Sequence, residues 1–431
     1  MKSLSCRDRL ERALDRIADP KGEGARTCLT VYANTARAAA DAADARAGSG
    51  ISLGPLDGAI VSIKDLFDVA GEVTRAGSKV LAEEGKPAVA DAAVVRRIRA
   101  AGAIIVGKTN MSEFAFTAIG VNPHFGTPGN PADRSRVPGG SSSGAAVAVA
   151  DGMCEIAIGS DTGGSVRMPA ALCGIVGFKP SRQRVSTEGA FPLSYSYDSI
   201  GPLARSVGDC AKADAILAGE DFLPLLPAVL DGLRVGVVEG QPLANLDAAV
   251  GTAFAAAIDK FDCAGVRLTR EKLSLLDDMA AVDAKGGIIG AEACAVHRER
   301  IARRGSDIDA NVRHRIERGC AISAADFVDM VRERGRLIGA MDEALEFFDV
   351  LAMPTIPIMA PTIAEVADQK AFADANAIVR RNTVIGNFFD LCGITLPLSA
   401  PLPIGLMLLA RNGDDRKLLR IAAAIMELLE A

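Results

Sequence analysis

Between residues 51 and 215, short apolar segments alternate with helical ones, and this alternation restricts the chain to few architectures. The apolar runs that end at Lys64 and Thr109 have the length of buried strands, while the segment before the second run has helical periodicity. The same alternation returns near the end of the chain, in residues 346–431. Because alternating strands and helices form layers, the sequence predicts an α/β fold with a partly parallel sheet.

Two other segments frame this pattern. Residues 1–50 form an N-terminal helical region, which starts with a charged amphipathic helix, and residues 216–345 are mostly helical and rich in charge. The sequence contains neither internal repeats nor a clear linker. We therefore predict one domain with a core at 51–215, a helical insertion at about 216–345 and a C-terminal core at 346–431.

Composition and charge exclude several classes of protein. Hydrophobic residues make up 49% of the chain, which is enough for a sizeable core without disulfides or metals, and the formal net charge of -6 argues against nucleic-acid binding. The nine cysteines are scattered and form no C-x-x-C pair, so we expect reduced thiols and no zinc site. Neither a signal-peptide core nor a membrane-spanning run of ~20 apolar residues is present, so we predict a cytoplasmic protein.

One stretch matches the phosphate-loop pattern. Residues Gly102–Thr109 fit G-x-x-x-x-G-K-[ST], but the intervening Ala-Ile-Ile-Val favours a strand. A phosphate-binding loop must instead be a turn whose backbone N–H groups surround the phosphates. We therefore predict a strand here and disfavour a nucleotide-binding protein.

The segment Gly140–Gly144 matches the G-x-S-x-G pattern of a nucleophile elbow, in which Ser142 would be the nucleophile. That arrangement needs an acid and then a histidine after the serine in chain order. His124 precedes the loop, while His297 and His314 fall in a charged helical stretch that we interpret as a solvated surface rather than a basic patch. A Ser–His–acid site is therefore disfavoured.

A serine hydrolase without a usable histidine needs another base, and Lys64 is a candidate. An unperturbed lysine, with a pKa of ~10.4, has only about one neutral amine in 2,500 at pH 7. Burial can lower that pKa by ~3 units, at a cost of ~4 kcal/mol. Lys64 ends an apolar strand, which favours burial; the alternative is a strand-end lysine that reaches solvent beside Asp65.

A second candidate serine follows two glycines. The segment Thr162–Ser165 comes directly after an apolar strand. Consecutive glycines can direct several backbone N–H groups to one point, as an oxyanion hole requires. Ser165 would then lie beside its own oxyanion donors; the alternative is an ordinary glycine turn with an exposed serine.

The combination of these features resembles the amidase signature family. Lys64, the G-G-S-S-S-G loop with Ser141 77 residues later, and D-T-G-G-S-V-R with Ser165 24 residues after that carry the resemblance, together with flanking text such as "GIVGFKPS" and "DSIGPLARSVGDCA". The resemblance is strong over residues 50–215 and weaker over 345–430. It implies a large, mixed, mostly parallel sheet covered by helices on both faces.

The resemblance also implies a Ser–Ser–Lys triad. Ser165 would be the nucleophile, Ser141 would relay the proton after a cis Gly140–Ser141 peptide, and neutral Lys64 would be the base. The remaining roles fall within the two serine loops: Thr162, Gly163 and Gly164 with the Ser165 amide for the oxyanion hole, and Ser142, Asp161 and Arg167 for support.

The implied reaction is hydrolysis of a small carboxamide or urea-like C–N bond through an acyl-enzyme, without a metal or organic cofactor. We expect a small-molecule amide substrate and no nucleic-acid or membrane partner, and the resemblance is compatible with a homodimer. The alternatives are the glutaminase A subunit of a tRNA amidotransferase, which needs a partner, and a non-catalytic protein on the same scaffold. Residues 186–203 resemble stand-alone small-amide hydrolases more than that glutaminase.

Overall fold

The computed structural model describes residues 4–284 and 286–431, and an eleven-stranded sheet runs through them. The spatial order of its strands is β1-β3-β2-β4-β6-β5-β10-β11-β9-β7-β8. Their bounds are β1 (Cys28–Val31), β2 (Ile60–Lys64), β3 (Ile104–Thr109), β4 (Ile156–Asp161), β5 (Val176–Lys179), β6 (Ser199–Ala204), β7 (Arg234–Val238), β8 (Arg267–Glu271), β9 (Val350–Pro354), β10 (Cys392–Leu398) and β11 (Ile404–Ala410).

Helices connect these strands. The α-helices are α1 (Cys6–Ala18), α2 (Gly24–Thr27), α3 (Ala33–Gly48), α4 (Lys79–Glu84), α5 (Ala93–Ala100), α6 (Ser143–Ala150), α7 (Arg167–Cys173), α8 (Val207–Ala218), α9 (Ala248–Cys263), α10 (Leu275–Asp283), α11 (Ile288–Arg304), α12 (Ala310–Cys320), α13 (Ala324–Ala344), α14 (Gln369–Arg380), α15 (Thr383–Phe388) and α16 (Asp415–Glu430). Short 3₁₀ turns cover Glu113–Ala115, Gln241–Leu243, Gly305–Asp307 and Leu345–Phe347. Among the described residues, none of these helices is both long and apolar enough to cross a bilayer.

Both faces of the sheet are covered by helices, as the sequence predicts. Successive side chains of a strand point to opposite faces. On β3, Ile104 and Val106 pack in one cluster with residues of α1 and α6, whereas Ile105 packs in another with residues of α5 and α8. Six residues of the Gly102–Thr109 segment, Ile104–Thr109, form β3 and are all buried, which confirms the predicted strand in place of a phosphate-binding turn.

The sheet is mixed, as predicted, but the expectation that it is mostly parallel is wrong. Among the described strands, four neighbouring pairs are parallel (β2–β3, β2–β4, β7–β8 and β7–β9). The other six pairs are antiparallel. Part of the reason is local: the connection between β10 and β11 is residues 399–403, which is too short for a crossover and reverses the chain direction.

The segment predicted as a helical insertion also contributes to the sheet. Strands β7 and β8 lie within residues 216–345 and extend the sheet from β9. The prediction of one α/β domain is confirmed by this continuity, while the boundaries of its four regions stay predictions. The sequence analysis missed β1, which has four residues, and β8, whose sequence Arg-Leu-Thr-Arg-Glu is mostly polar.

Helices α11 and α12 pack closely and share a disulfide between Cys294 and Cys320. The prediction of reduced thiols is therefore wrong for this pair, because tertiary packing joins two cysteines 26 residues apart that share no local motif. At the same contact, a Cβ on Gly319 would lie 1.9 Å from the carbonyl oxygen of Gly290. Only glycine fits at position 319 without separating the two helices.

Candidate active site

Lys64 is the last residue of β2, an interior strand between β3 and β4, and it is wholly buried. Its Nζ donates to Ser141 Oγ and to Ser160 Oγ, both at 2.8 Å. Burial lowers the pKa of Lys64 to about 7, even though Asp161 and Asp198 act in the opposite direction. At neutral pH about half of the molecules then carry the neutral amine that a base must have.

Ser141 and Ser142 lie buried in the loop before α6. The Gly140–Ser141 peptide is cis, as the family resemblance implies. The Ser142 hydroxyl donates to the Ser160 carbonyl at 3.3 Å, and the Ser142 amide donates to the Ser165 carbonyl at 3.3 Å. Ser142 thus ties the two serine loops together.

Ser165 lies at the end of the glycine turn after β4, with 5% of its surface exposed. It lines an open cavity of about 350 Å³ together with Thr162 and Gly163. A Cβ on Gly163 would find no atom within 4 Å, so the backbone of this turn is open to a ligand. Among the described residues, the Ser165 hydroxyl has no hydrogen-bond partner, whereas Ser141 Oγ is bonded to Lys64.

Asp161 and Arg167 hold the glycine turn from behind. The two side chains are wholly buried and form an ion pair with N···O distances of 3.0 Å. Asp161 also accepts from the amides of Gly164 at 2.8 Å and Val166 at 3.2 Å. Burial by itself would raise the pKa of Asp161, but Arg167 holds it well below its usual range. These contacts support a bracing role for both residues.

The same contacts change the expected set of oxyanion donors. The resemblance assigns Gly164 to the oxyanion hole, yet its N–H is engaged by Asp161. The amides of the other expected donors, Thr162, Gly163 and Ser165, have no acceptor within the part of the chain that the structure describes. Gly164 instead has a conformational role: its φ is +118°, and a Cβ there would lie 2.1 Å from Thr383 Oγ1 of α15.

Asp198 is a site residue that the sequence analysis missed. It accepts from Thr162 Oγ1 at 2.6 Å and from the amides of Leu193 and Ser194 at 2.9 and 3.1 Å. Burial raises the pKa of Asp198 to about 6, against the opposing effects of Thr162 and Lys64. Asp198 begins the stretch "DSIGPLARSVGDCA" that contributes to the family resemblance, but the sequence analysis gave it no role, and only the fold reveals its proximity to Lys64.

A group of arginines was also missed. Arg315 of α12 and Arg380 of α14 line the cavity that contains Ser165. Both also line an adjoining cavity of about 710 Å³, together with Arg318. The charged stretch that was interpreted as solvated surface therefore forms part of the cavity wall.

The histidines occupy places unlike those expected. The prediction of a solvated surface is wrong for His297, which is wholly buried with its ring centroid 4.1 Å from that of Phe114. Burial lowers the pKa of His297 to about 3. His124 is hydrogen-bonded to Glu113 at 3.0 Å. Neither ring is hydrogen-bonded to Ser142 within the described residues, so the structure adds no support for a Ser–His–acid site.

The structure thus brings a buried lysine and two serine loops together on a large mixed sheet covered by helices. The family model described as Amidase matches residues 8–419, so the chain belongs to the amidase family. A solved structure described as a crystal structure of amidase superposes with a TM-score of 0.88 and 33% identity, covering 99% of this chain and 96% of that one. The family, the fold and the amidase class of enzyme predicted from the sequence are confirmed.

Two relatives show the breadth of the family. The 2-amino-5-chloromuconic acid deaminase of Comamonas testosteroni is 36% identical over 403 residues, covering 91% of this chain and 86% of the relative. The A subunit of the glutamyl-tRNA(Gln) amidotransferase of Anaeromyxobacter dehalogenans (strain 2CP-C) is 36% identical over 463 residues, covering 98% and 93%. Similarity therefore leaves both interpretations open, a stand-alone enzyme and a component of a larger complex.

Proposed function

We propose that this protein hydrolyses a small carboxamide or urea-like C–N bond to an acid and ammonia or an amine, through an acyl-enzyme on Ser165. The observation that carries the proposal is the wholly buried Lys64 amine, 2.8 Å from Ser141 Oγ. A lysine with a pKa of about 7 can accept a proton at neutral pH, which an exposed lysine cannot do efficiently.

The first half-reaction forms the acyl-enzyme. Ser165 Oγ attacks the carbonyl carbon while its proton passes to Ser141 Oγ and the Ser141 proton passes to Lys64 Nζ. The negative charge on the former carbonyl oxygen is stabilised by the free amides of Gly163 and Ser165. Lys64 then returns a proton through Ser141 to the departing nitrogen, and the C–N bond breaks.

The second half-reaction releases the acid. A water molecule attacks the ester carbonyl of acyl-Ser165, and its proton follows the same path to Lys64. Collapse of the tetrahedral intermediate breaks the ester bond, and Ser165 recovers its proton through Ser141. Asp161 and Arg167 keep the turn rigid throughout, because their ion pair fixes the backbone that carries Ser165.

A second candidate function is the glutaminase A subunit of a tRNA amidotransferase. It is favoured by the relative from Anaeromyxobacter dehalogenans, whose match covers 98% of this chain. A glutaminase of that kind needs a second chain to use the released ammonia. Co-purification with a partner, and glutaminase activity that depends on it, would support this alternative; activity of the isolated chain on small amides would contradict it.

Labelling with a small fluorophosphonate, followed by peptide mass spectrometry, tests the proposed catalytic roles. We expect an adduct on Ser165 that is lost in Lys64→Ala. Ser143→Ala is the matched control, because Ser143 is a buried serine of the same loop whose hydroxyl lacks a partner among the described residues, and it should still label. An adduct on Ser142 would contradict the proposal.

A further inference from the structure

Three arginines form one side of the space beside Ser165. Arg315 and Arg380 line the cavity that holds Ser165, and the same two residues line the adjoining cavity with Arg318. Phe116 also lines both cavities, so the two spaces meet at this point. A ligand that reaches Ser165 therefore lies next to Arg315 and Arg380. We call these three arginines the arginine wall.

The arginines of the wall differ from the arginine behind the glycine turn, because none of them is ion-paired among the described residues. Within residues 4–284 and 286–431, no carboxylate forms an ion pair with Arg315, Arg318 or Arg380, and Arg315 Nε is buried without a hydrogen-bond partner. The contrast with Arg167 is clear, since that buried guanidinium is paired with Asp161 at 3.0 Å. Arg315 and Arg380 are half-buried and Arg318 is exposed, so their charges stay accessible to a ligand that enters the cavities.

An aromatic ring orients the Arg315 guanidinium. The Arg315 guanidinium carbon lies 4.5 Å from the centroid of the Phe116 ring, which supports the flat face of the group and leaves its edge available. Burial, with Arg380 and Arg318 nearby, lowers the pKa of Arg315 to about 9. Asp283 lines only the adjoining cavity; burial raises its pKa, Arg380 acts in the opposite direction, and it forms no ion pair with any of the three arginines among the described residues.

The planar guanidinium edge matches a carboxylate, which can accept two parallel N–H···O bonds. Because Arg315 and Arg380 come from different helices and face one cavity, they can bind the same anion from two sides. A carboxylate held there would also provide the missing counter-charge. Since the anion would lie beside Ser165, it would be part of the substrate rather than a separate effector.

We propose that the substrate is an anionic amide, a small acid carrying a carboxamide or urea-like group, whose carboxylate binds between Arg315 and Arg380 while its amide carbonyl lies at Ser165. The position of the amide carbonyl at Ser165 rests on the proposed function. The carboxylate site on the arginine wall does not depend on catalysis. The positive charges of Arg315 and Arg380 also disfavour an ammonium group close to the carboxylate. Glutamine is therefore a poorer ligand than its analogue without the α-amino group.

Calorimetry on the Ser165→Ala variant tests the carboxylate site without turnover. The probes are succinamate, glutaramate and adipamate, their neutral diamides, and glutamine, which differs from glutaramate only by the α-amino group. We expect at least one of these three amic acids to bind about 10-fold or more tightly than its diamide, and glutaramate to bind more tightly than glutamine.

Variants of the wall assign the effect to residues. Adding Arg315→Gln or Arg380→Gln to Ser165→Ala should reduce the affinity for the amic acid about 10- to 100-fold. Arg380→Lys, which keeps the charge but not the planar fork, should recover part of it. The control is Arg336→Gln on α13, which removes an exposed charge paired only with Glu333 and should leave the affinity unchanged.

The outcomes separate the two proposals. Equal binding of amic acids and diamides, a preference that survives in both arginine variants, or tighter binding of glutamine than of glutaramate would overturn the anionic-substrate proposal. If Arg315→Gln does not fold, Arg380→Gln decides the assignment. If the protein binds carboxylates but Ser165 is not labelled, the carboxylate site is supported and the catalytic role of Ser165 is contradicted. If Ser165 is labelled but carboxylates are not preferred, the catalytic role is supported and the carboxylate site is contradicted.

Discussion

The cavity has two sides whose charged residues differ in pairing. We call the side formed by the glycine turn after β4, with Lys64, Asp161 and Arg167 behind it, the sheet side; the arginine wall is opposite in character. On the sheet side, Arg167 and Asp161 are wholly buried, paired with each other and both hydrogen-bonded to Asn387. On the arginine wall, Arg315 and Arg380 have no anionic partner within the described residues. Charges that hold the backbone are therefore satisfied inside the fold, and charges left without a partner are available to a ligand.

The largest expected effect concerns the base on the sheet side. Lys64→Met should reduce the rate of Ser165 labelling about 10³-fold or more, because no other neutral amine contacts Ser141 among the described residues. In the unmodified protein the rate should rise with pH through about 7, as Lys64 loses its proton, and this dependence should disappear in the variant. Rapid-quench labelling across a pH series measures both.

Lys108→Met is the matched control for that experiment. Lys108 is also wholly buried, on the neighbouring strand β3, but its Nζ has no hydrogen bond among the described residues. Ser165 of the Lys108→Met variant should be labelled at close to the normal rate. Loss of labelling in both variants would show that removing any buried lysine disturbs the sheet, and the role assigned to Lys64 would lose its support.

The next effect is on stability and concerns the paired arginine. Arg167→Met should lower the free energy of unfolding by about 3–5 kcal/mol, because Asp161 would remain as a buried charge without its partner. Denaturant titration measures the change. Arg336→Met, which breaks an exposed pair with Glu333, should leave the free energy of unfolding nearly unchanged. Similar values for the two variants would remove the distinction between the bracing pair and a surface pair.

The smallest effect has the opposite sign. In the absence of ligand, Arg315→Met should raise the free energy of unfolding by about 1 kcal/mol, because it removes an unpaired, partly buried cation while keeping apolar contact with Phe116. The same denaturant titration serves. A loss of stability comparable to that of Arg167→Met would mean that the arginine wall is structural, contrary to the comparison above.

The sheet side could be predicted from sequence because each of its parts has a local signal. Lys64 ends an apolar strand, and Ser165 follows a Gly-Gly pair after another strand, so residue type and neighbours together indicate the chemistry. The residues on the other side carry no such signal. Arg315 and Arg380 reach the cavity from separate parts of the chain, and only tertiary packing brings them there.

The errors in the fold have the same origin. Strand direction depends on how distant segments return to the sheet, so the antiparallel insertion of β6 between β4 and β5 could not be deduced from an alternating pattern. The burial of His297 was missed because its helix is rich in charge, although the ring faces Phe114 and Phe191. Likewise, the Cys294–Cys320 bond depends on the packing of α11 against α12.

At the close contact of Gly290 with Gly319, α11 and α12 can approach because the Gly319 side chain is a single hydrogen atom. Arg315 lies four residues before Gly319 on the same helix, so a methyl group that separated the helices would also shift the guanidinium. Neither helix carries Lys64, Ser141 or Ser165. A substitution at this crossing would therefore move Arg315 relative to the cavity without changing the elements that carry Lys64, Ser141 and Ser165.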